Sequence, residues 1–438
     1  MRVRRHLPVL ILAILILVYV AIGTLYAVLT PAWQVPDEPA HYNYVRSLAE
    51  GSGFPVLEPG DYDQDYLRRL TSQKFPPNLP VDPLEYEDHQ PPLYYLLATP
   101  VYLLAGGALL PLRLLSLVFG AGILVVAFGT LRTAFPGQPA VGLMGAAFIA
   151  FIPQHIAVTA AVNNDALAEL VVGGTLWALA VYLGASETRP WLVGILVGIA
   201  LLTKTTAYVV VGVTVGAVFI RWRKEQRPAT WAARQLAWIF LPALLIAGPW
   251  FIRNGLAYGW NDPLGLAQHR AIVEAQPRSS EWLAAYGWGG LLRRLMRTTF
   301  QSFWGQFGWM AVPLPPRIYR LLVLLSILLA AGFLARLVRR YRSTRSVDPL
   351  TVSRCLLLAL SAALTFSAFC WYNLTFVQHQ GRYLFPALIP LAAAAALGLD
   401  TLTKPVPGQL RPWIWSLVFA ALAAFDVYCL FRIIRPNL

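Results

Sequence analysis

The sequence predicts an all-α polytopic membrane protein with about 11 transmembrane helices, and three observations carry that expectation. Hydrophobic residues make up 57% of the 438-residue chain and charged residues only 13%, roughly half the share usual in a soluble globular domain. Mean hydropathy is +0.57. Apolar stretches recur that approach or exceed the roughly 18 to 20 residues needed to cross a ~30 Å hydrocarbon core, and they lack the alternation of a membrane barrel. A soluble enzyme is excluded on these grounds.

The first span, near residues 7–30, follows Arg2, Arg4 and Arg5. It starts like a signal peptide, but its apolar run is too long for one and lacks a small-x-small cleavage site, so it reads as an uncleaved span. Further spans are expected near 111–131, 139–158, 165–184, 190–203, 205–220, 235–253, 317–337, 354–376, 382–402 and 413–431. The stretch from Pro190 to Ile220 would be ~46 Å long as one helix, too long for one untilted crossing. Basic residues flank it on both sides, at Arg189 and at Arg221 with Arg223, so an even number of crossings fits. Two short helices meeting near Lys204 satisfy that condition.

Pro91–Gly107 is also apolar, but Pro100 interrupts it. If it crosses, the basic runs Arg221, Arg223, Lys224, Arg227 and Arg336, Arg339, Arg340, Arg342, Arg345 fall opposite the basic amino terminus. If it lies in or on the outer leaflet, they share the cytoplasmic side with it. The positive-inside rule favours a juxtamembrane or re-entrant helix. Residues 31–110 and 254–316 then form two long external loops. The second carries Trp282, Trp288, Trp304 and Trp309 with Arg293, Arg294 and Arg297, the composition of helices lying at an interface. Residues 1–220, with the first loop, read as one membrane module, and residues 221–438, with the second loop, as a more variable half.

The formal charge of +14 is unevenly spread. Residues 31–90 hold 11 acids against 4 Lys/Arg, a net of −7, and the remaining residues carry a net of +21. Most of that excess sits in short loops between apolar segments, which is a pattern of membrane orientation and not of a nucleic-acid face. Cys355, Cys370 and Cys429 fall within spans and have no metal-ligand spacing.

Polar residues with chemical capacity collect on the outer side of this topology. Immediately after the first span comes Pro36-Asp37-Glu38-Pro39-Ala40-His41-Tyr42. Paired carboxylates there suit a general base or a divalent-ion site; equally, Asp37 suits the cap of a helix that begins at Pro39. The same loop ends Glu87-Asp88-His89-Gln90-Pro91-Pro92, offering metal ligands or a polarising group, or simply a solvated turn. Asn163-Asn164-Asp165 follows the third span and reads as a turn with an Asp cap or as a polar part of the site. Lys204, at the helix break, could hold a lipid phosphate or snorkel to the headgroups. Arg382, beside Tyr383 in Gln378-His379-Gln380-Gly381-Arg382-Tyr383, is a second phosphate candidate or an interfacial anchor. A carboxylate base and cationic groups at one membrane face suit a reaction on a lipid phosphate.

The order PDEPAHY, HQPPLYY, RLLS at 113–116, IPQHIAVTAAVNNDALA, LLTKTTAY and GRYLFPALIP resembles the GT-C membrane glycosyltransferases that use polyprenyl-phosphate sugars, in particular the protein mannosyltransferase (family 39) and aminoarabinose transferase branch. The resemblance covers residues 1–220 well and the remainder loosely. It implies an inverting transfer of sugar from a polyprenyl-phosphate donor to an extracytoplasmic lipid, glycan or protein acceptor, with the chain multi-pass in the plasma or inner membrane and its amino terminus cytoplasmic. It also implies Asp37 as catalytic base with Glu38 in support. His41, His89, Asn164, Asp165, Lys204, Arg382 and Tyr383 become substrate-binding candidates. Asp37, Glu38, Asp88, His89 and Asp165 are candidate ligands for a divalent metal. The segment before PPL reads EDHQ where relatives often show an acid-Lys or Asp-x-His arrangement. A transporter or flippase of lipid-linked saccharides is the alternative from another class, although it would place ionisable groups nearer the bilayer midplane.

Overall fold

The computed structural model describes residues 2–186, 189–273, 276–343 and 348–438, with side chains from residue 6 onward. The side chains of Arg2, Arg4 and Arg5, and all of Arg345, named above as orientation signals, lie outside the described residues. Seventeen helices organise the chain, in the order α1 (Arg2–Leu29), α2 (Glu38–Ala49), α3 (Gln64–Ser72), α4 (Leu93–Leu104), α5 (Leu109–Ala134), α6 (Pro139–Ala150), α7 (Pro153–Thr159), α8 (Asp165–Tyr182), α9 (Pro190–Leu201), α10 (Val209–Glu225), α11 (Ala229–Tyr258), α12 (Leu266–Ile272), α13 (Ser279–Trp304), α14 (Pro316–Tyr341), α15 (Pro349–Asn373), α16 (Leu388–Thr403) and α17 (Arg411–Tyr428). 3₁₀ segments precede α10 (Thr205–Tyr208) and α16 (Gly381–Ala387), and a π segment (Cys429–Ile434) followed by a three-residue helical turn (Arg435–Asn437) extends α17. One hairpin, β1 (Gln306–Phe307) with β2 (Val312–Pro313), pairs antiparallel.

Among the described residues, nine helices are long and apolar enough to cross a membrane. The pair α6 and α7, bent by 69° at Phe151-Ile152, makes a tenth if counted as one broken span. Of the eleven spans expected, the remaining one is α9, whose 12 residues extend only ~18 Å. Its length is explained by the chain break the sequence suggests: α9 ends at Leu201, Lys204 is extended, and the next helix starts at Thr205. α9 packs closely on α11 because Gly194 and Gly198 have no side chains, and a Cβ at Gly194 would lie 2.1 Å from the Ile239 carbonyl oxygen. Small residues four apart are the usual means of bringing helix backbones together where lipid removes the hydrophobic drive.

α4 does not cross the bundle. It has 12 residues, its first amide donates to the Leu202 carbonyl at 2.8 Å, and the Gly107 carbonyl beyond its other end accepts from Tyr42 of α2 at 2.8 Å. Both ends are therefore tied to the same end of the bundle, as a juxtamembrane helix requires. That end also gathers the carboxyl end of α1, the amino end of α8, the break at Lys204 and the 3₁₀ turn at Gly381. The basic residues lie at the other: Arg221 donates to the Tyr182 and Ala185 carbonyls at 2.7 and 2.9 Å, and Arg336 pairs with Asp400 at 2.9 Å.

The two long loops, read from the sequence as separate, are packed on each other. Tyr258 accepts from the Leu57 amide at 3.0 Å, Gln268 donates to the Leu57 carbonyl at 3.2 Å, and the Trp309 indole donates to the Trp33 carbonyl at 2.9 Å. Together they cover the end of the bundle where the polar residues meet.

Candidate active site

Asp37 and Glu38 adjoin in sequence and separate in space. Asp37 has φ 70° and ψ −6°, a left-handed conformation that is costly for any residue with a Cβ. Although it occupies the N-cap position of α2, its side chain makes no cap hydrogen bond. The twist turns the carboxylate outward instead, where one oxygen accepts from the Tyr86 hydroxyl at 3.0 Å and the other from Arg382. Glu38 points inward and is fully buried. Its two oxygens accept from Nε and Nη2 of Arg113 at 2.7 and 2.6 Å, and also from the amides of Val162 and Trp33 at 3.1 and 3.0 Å. With both oxygens engaged by four donors, Glu38 has no free capacity to take a proton or a ligand.

Around Asp37 the charges alternate. Arg382 pairs with Asp37, its Nη1 lies 3.9 Å from Asp165, and Asp165 accepts from the Lys204 ammonium at 2.5 Å. The run Asp37, Arg382, Asp165, Lys204 is neutral in sum, with each member partly or wholly buried. Arg382 keeps two guanidinium nitrogens, Nε and Nη1, buried without a hydrogen-bond partner. Its guanidinium also lies 5.4 Å from the Tyr383 ring centroid. Burial by itself would raise the Asp37 carboxyl, but the charges of Arg382 and Lys204 outweigh it and hold Asp37 below the ordinary carboxylate range. The residue is ionised at neutral pH.

Behind this row stands a layer of aromatic hydroxyls. Tyr95 shares a 2.9 Å hydrogen bond with His41 Nδ1 and accepts from the Asn164 side chain at 3.4 Å, and its ring stacks on Tyr44 at 3.6 Å. Burial, helped by the charge of Lys204, lowers His41 to about 3, so the imidazole is neutral. Asn163 accepts from the Asp165 amide at 2.7 Å and fixes the start of α8. Glu87 brings a third carboxyl towards the cluster, with one oxygen buried and unpartnered. Burial and the neighbouring Asp37 raise it above its ordinary range.

Asp88 and His89 turn elsewhere. His89 stacks on His269 of the second loop, ring centroids 4.5 Å apart, and burial lowers it well below its ordinary value. Burial, with Glu85 nearby, raises Asp88 to about 9, which leaves it protonated. These positions correct the expectation of a divalent-metal site at Asp37, Glu38, Asp88, His89 and Asp165. Glu38 is committed to Arg113, Asp37 and Asp165 are each matched by a cation, and His89 packs against His269 of the second loop. Among the described residues no group of three or more His, Cys, Asp or Glu side chains is placed to hold a metal ion.

Sequence reasoning did not single out several residues on which the site depends. Arg113 donates to the carbonyls of Ala27, Thr30 and Pro31 as well as to Glu38, so it clamps the end of α1, the start of α2 and the turn before α8 onto α5. Its place inside an apolar run was the available signal. Gly381 packs against α13 so closely that a Cβ would lie 2.3 Å from the Phe303 amide nitrogen, and its own amide donates to Ser302 at 2.7 Å. This contact seats the neighbouring Arg382. One turn below Asp165 on α8, Glu169 pairs with His155 of α7 at 3.0 Å.

Residues 89–252 match the family model for dolichyl-phosphate-mannose-protein mannosyltransferase, a segment that contains Asp165 and Lys204. The match covers less than half of the chain. Among solved structures the chain is similar to ArnT from Cupriavidus metallidurans, which was crystallised bound to undecaprenyl phosphate. The match has a TM-score of 0.51 and 16% identity, and covers 98% of this chain and 73% of that one. It is also similar to the apo oligosaccharyltransferase of Archaeoglobus fulgidus, with a TM-score of 0.55 and 12% identity, over 98% of this chain and 55% of that one. The chain thus spans about half the length of the archaeal protein. At these identities the likeness establishes the shared fold. No protein of curated function matches the chain in sequence.

Proposed function

We propose that the protein is a membrane glycosyltransferase of the GT-C type, which moves a sugar from a polyprenyl-phosphate donor to an acceptor hydroxyl or amide by a single displacement with inversion. One observation carries the reading: Asp37, the ionised carboxylate, stands between a buried cationic pair on one side and an open polar cleft on the other. In the step, the acceptor atom attacks the anomeric carbon as the bond from that carbon to the phosphate oxygen breaks, and Asp37 takes the acceptor proton. The phosphate leaves as an anion without needing a proton. Lys204 and the two unpartnered nitrogens of Arg382 supply the positive charge that stabilises it.

The ion pairs set an order of events. In the free protein Arg382 is committed to Asp37, which weakens that carboxylate as a base. A donor phosphate shares the guanidinium and so returns basicity to Asp37 when the reaction can proceed. Glu38 and Arg113 hold the backbone that presents Asp37. His41, Asn164 and Tyr383 line the site beside it. The positive-inside rule supports an extracytoplasmic site, because the arginine-rich turns lie at the opposite end of the bundle.

The test is sugar release from polyprenyl-phosphate sugars by purified protein in liposomes. Wild type should turn over and Asp37→Asn should not, while Asp37→Asn retains the wild-type melting temperature. Equal turnover by both proteins would remove Asp37 from the base role.

A further inference from the structure

The cleft on the far side of Asp37 from Lys204 has a composition of its own. Its volume is about 170 Å³. Its polar wall comes from three distant parts of the chain: Gln64 and Tyr62 from the first loop, Gln276 from the second, and Gln378 and Gln380 from the turn before α16. Trp309 adds an apolar aromatic surface. Among the described residues, Asp37 is the one side chain lining the cleft with a formal charge.

The carboxamides form a relay. Gln380 donates to Gln378 at 2.8 Å, Gln378 donates to Gln276 at 3.4 Å, and Tyr62 donates to Gln64. Each amide in the relay holds its neighbour in one orientation and retains further donor and acceptor positions for a ligand. The wall is braced by backbone: the Val377 amide donates to the Pro277 carbonyl at 2.9 Å, Arg278 bridges Phe376, and the Gln378 amide donates to the Asn373 side chain at 3.1 Å.

We propose that this cleft is a subsite for an uncharged saccharide, with Gln276, Gln378 and Gln380 reading its hydroxyls and Trp309 carrying its ring face. Carboxamides offer donors and acceptors in equal measure, as a polyhydroxylated ring demands. An anionic ligand would find no cation in the wall to bind it, and would pass an outer rim carrying Asp63 and Asp65, where Arg68 is already paired with Asp65 at 3.1 Å. A cationic sugar gains nothing from Asp37, whose charge Arg382 matches. The inference rests on the proposed transfer only for the cleft's place beside the reacting carbon, so binding is measured with transfer disabled.

Wild-type protein in nanodiscs, with no donor present so that no transfer can occur, is examined by saturation-transfer NMR with methyl α-mannoside, methyl β-glucoside, glucuronate and glucosamine as probes, and Asp37→Asn is used where a polyprenyl-phosphate sugar is added. Saturation should reach the neutral glycosides and not the charged sugars. Adding Gln276→Ala with Gln378→Ala should raise the half-saturating concentration about tenfold or more, with Gln380→Ala as the single-site check, at unchanged melting temperature. Displacement by a polyprenyl-phosphate sugar but not by bare polyprenyl phosphate assigns the cleft to the donor's sugar, and displacement by neither assigns it to the acceptor's. Equal transfer to glucuronate or glucosamine, survival of the signal in the glutamine variants, or displacement by bare polyprenyl phosphate would each overturn the proposal. Loss of turnover in Asp37→Asn is measured separately, so the two readings fail independently.

Discussion

Two neighbouring carboxylates of the first loop, Glu38 and Asp37, each pair with an arginine from a distant helix or turn, and the two pairs differ in nearly everything else. Arg113 and Glu38 form the floor: both side chains are at most 4% exposed, the contact is bidentate, and every remaining guanidinium donor reaches a carbonyl. Arg382 and Asp37 form the mouth: Asp37 is 20% exposed, and two nitrogens of Arg382 have no hydrogen-bond partner. A saturated buried pair fixes geometry. An unsaturated one, with solvent on one side, leaves room for a ligand to exchange with the protein's own groups.

The sharpest way to break the comparison is to remove the floor. Arg113→Met leaves Glu38 buried and unpaired, which costs about 3–5 kcal/mol and should abolish recovery of folded, monodisperse protein. Normal yield and melting temperature in Arg113→Met would show the floor to be dispensable. At the mouth, Asp37→Asn should spare the fold and lower turnover by about 10²- to 10⁴-fold, read as single-turnover sugar release. Lys204→Met removes one charged contact to phosphate. It should weaken donor binding by roughly 1.5–3 kcal/mol, seen as a higher KM with a smaller change in kcat.

The smallest expected effect concerns pH. His41 falls to about 3 in the fold from an ordinary value near 6.5, so between those values the unfolded chain binds the extra proton. Its contribution to stability is fully present above about pH 6.5 and declines as the pH falls towards 3. His41→Gln should therefore flatten part of the fall in melting temperature between pH 7 and pH 5. An unchanged slope would show that His41 is not the group responsible. Sidedness is open to a separate check: a cysteine at Gln226, in the exposed basic turn, should react with impermeant reagent only from the cytoplasmic face, and outward labelling would invert the topology.

Polar residues at the ends of apolar runs were the legible part of the site. Lys204 marked a real break between α9 and the turn at Thr205, and Asp165, Asp37 and Arg382 meet beside it. The sequence set the Pro91–Gly107 segment apart as interrupted by Pro100, and α4, at 12 residues, is shorter than the helices long enough to cross a membrane. Arg113 stayed hidden because its partner lies 75 positions away, and an arginine near the start of an apolar run looks like a headgroup anchor. Glu38 was grouped with Asp37 because sequence records adjacency and not direction. The left-handed turn at Asp37 sends the two side chains to opposite sides of the backbone.

By itself, the sequence determined a helical membrane bundle whose ionisable groups collect at one end, since twenty-residue apolar runs and the cost of burying charge admit little else. Only the tertiary structure decided which acid is sealed and which is free. It also moved Asp88 and His89 away from the cluster and assembled a carboxamide wall from residues 64, 276, 378 and 380. Those outcomes depend on distant segments satisfying one another's hydrogen bonds in a space that excludes water, a constraint that local patterning does not contain.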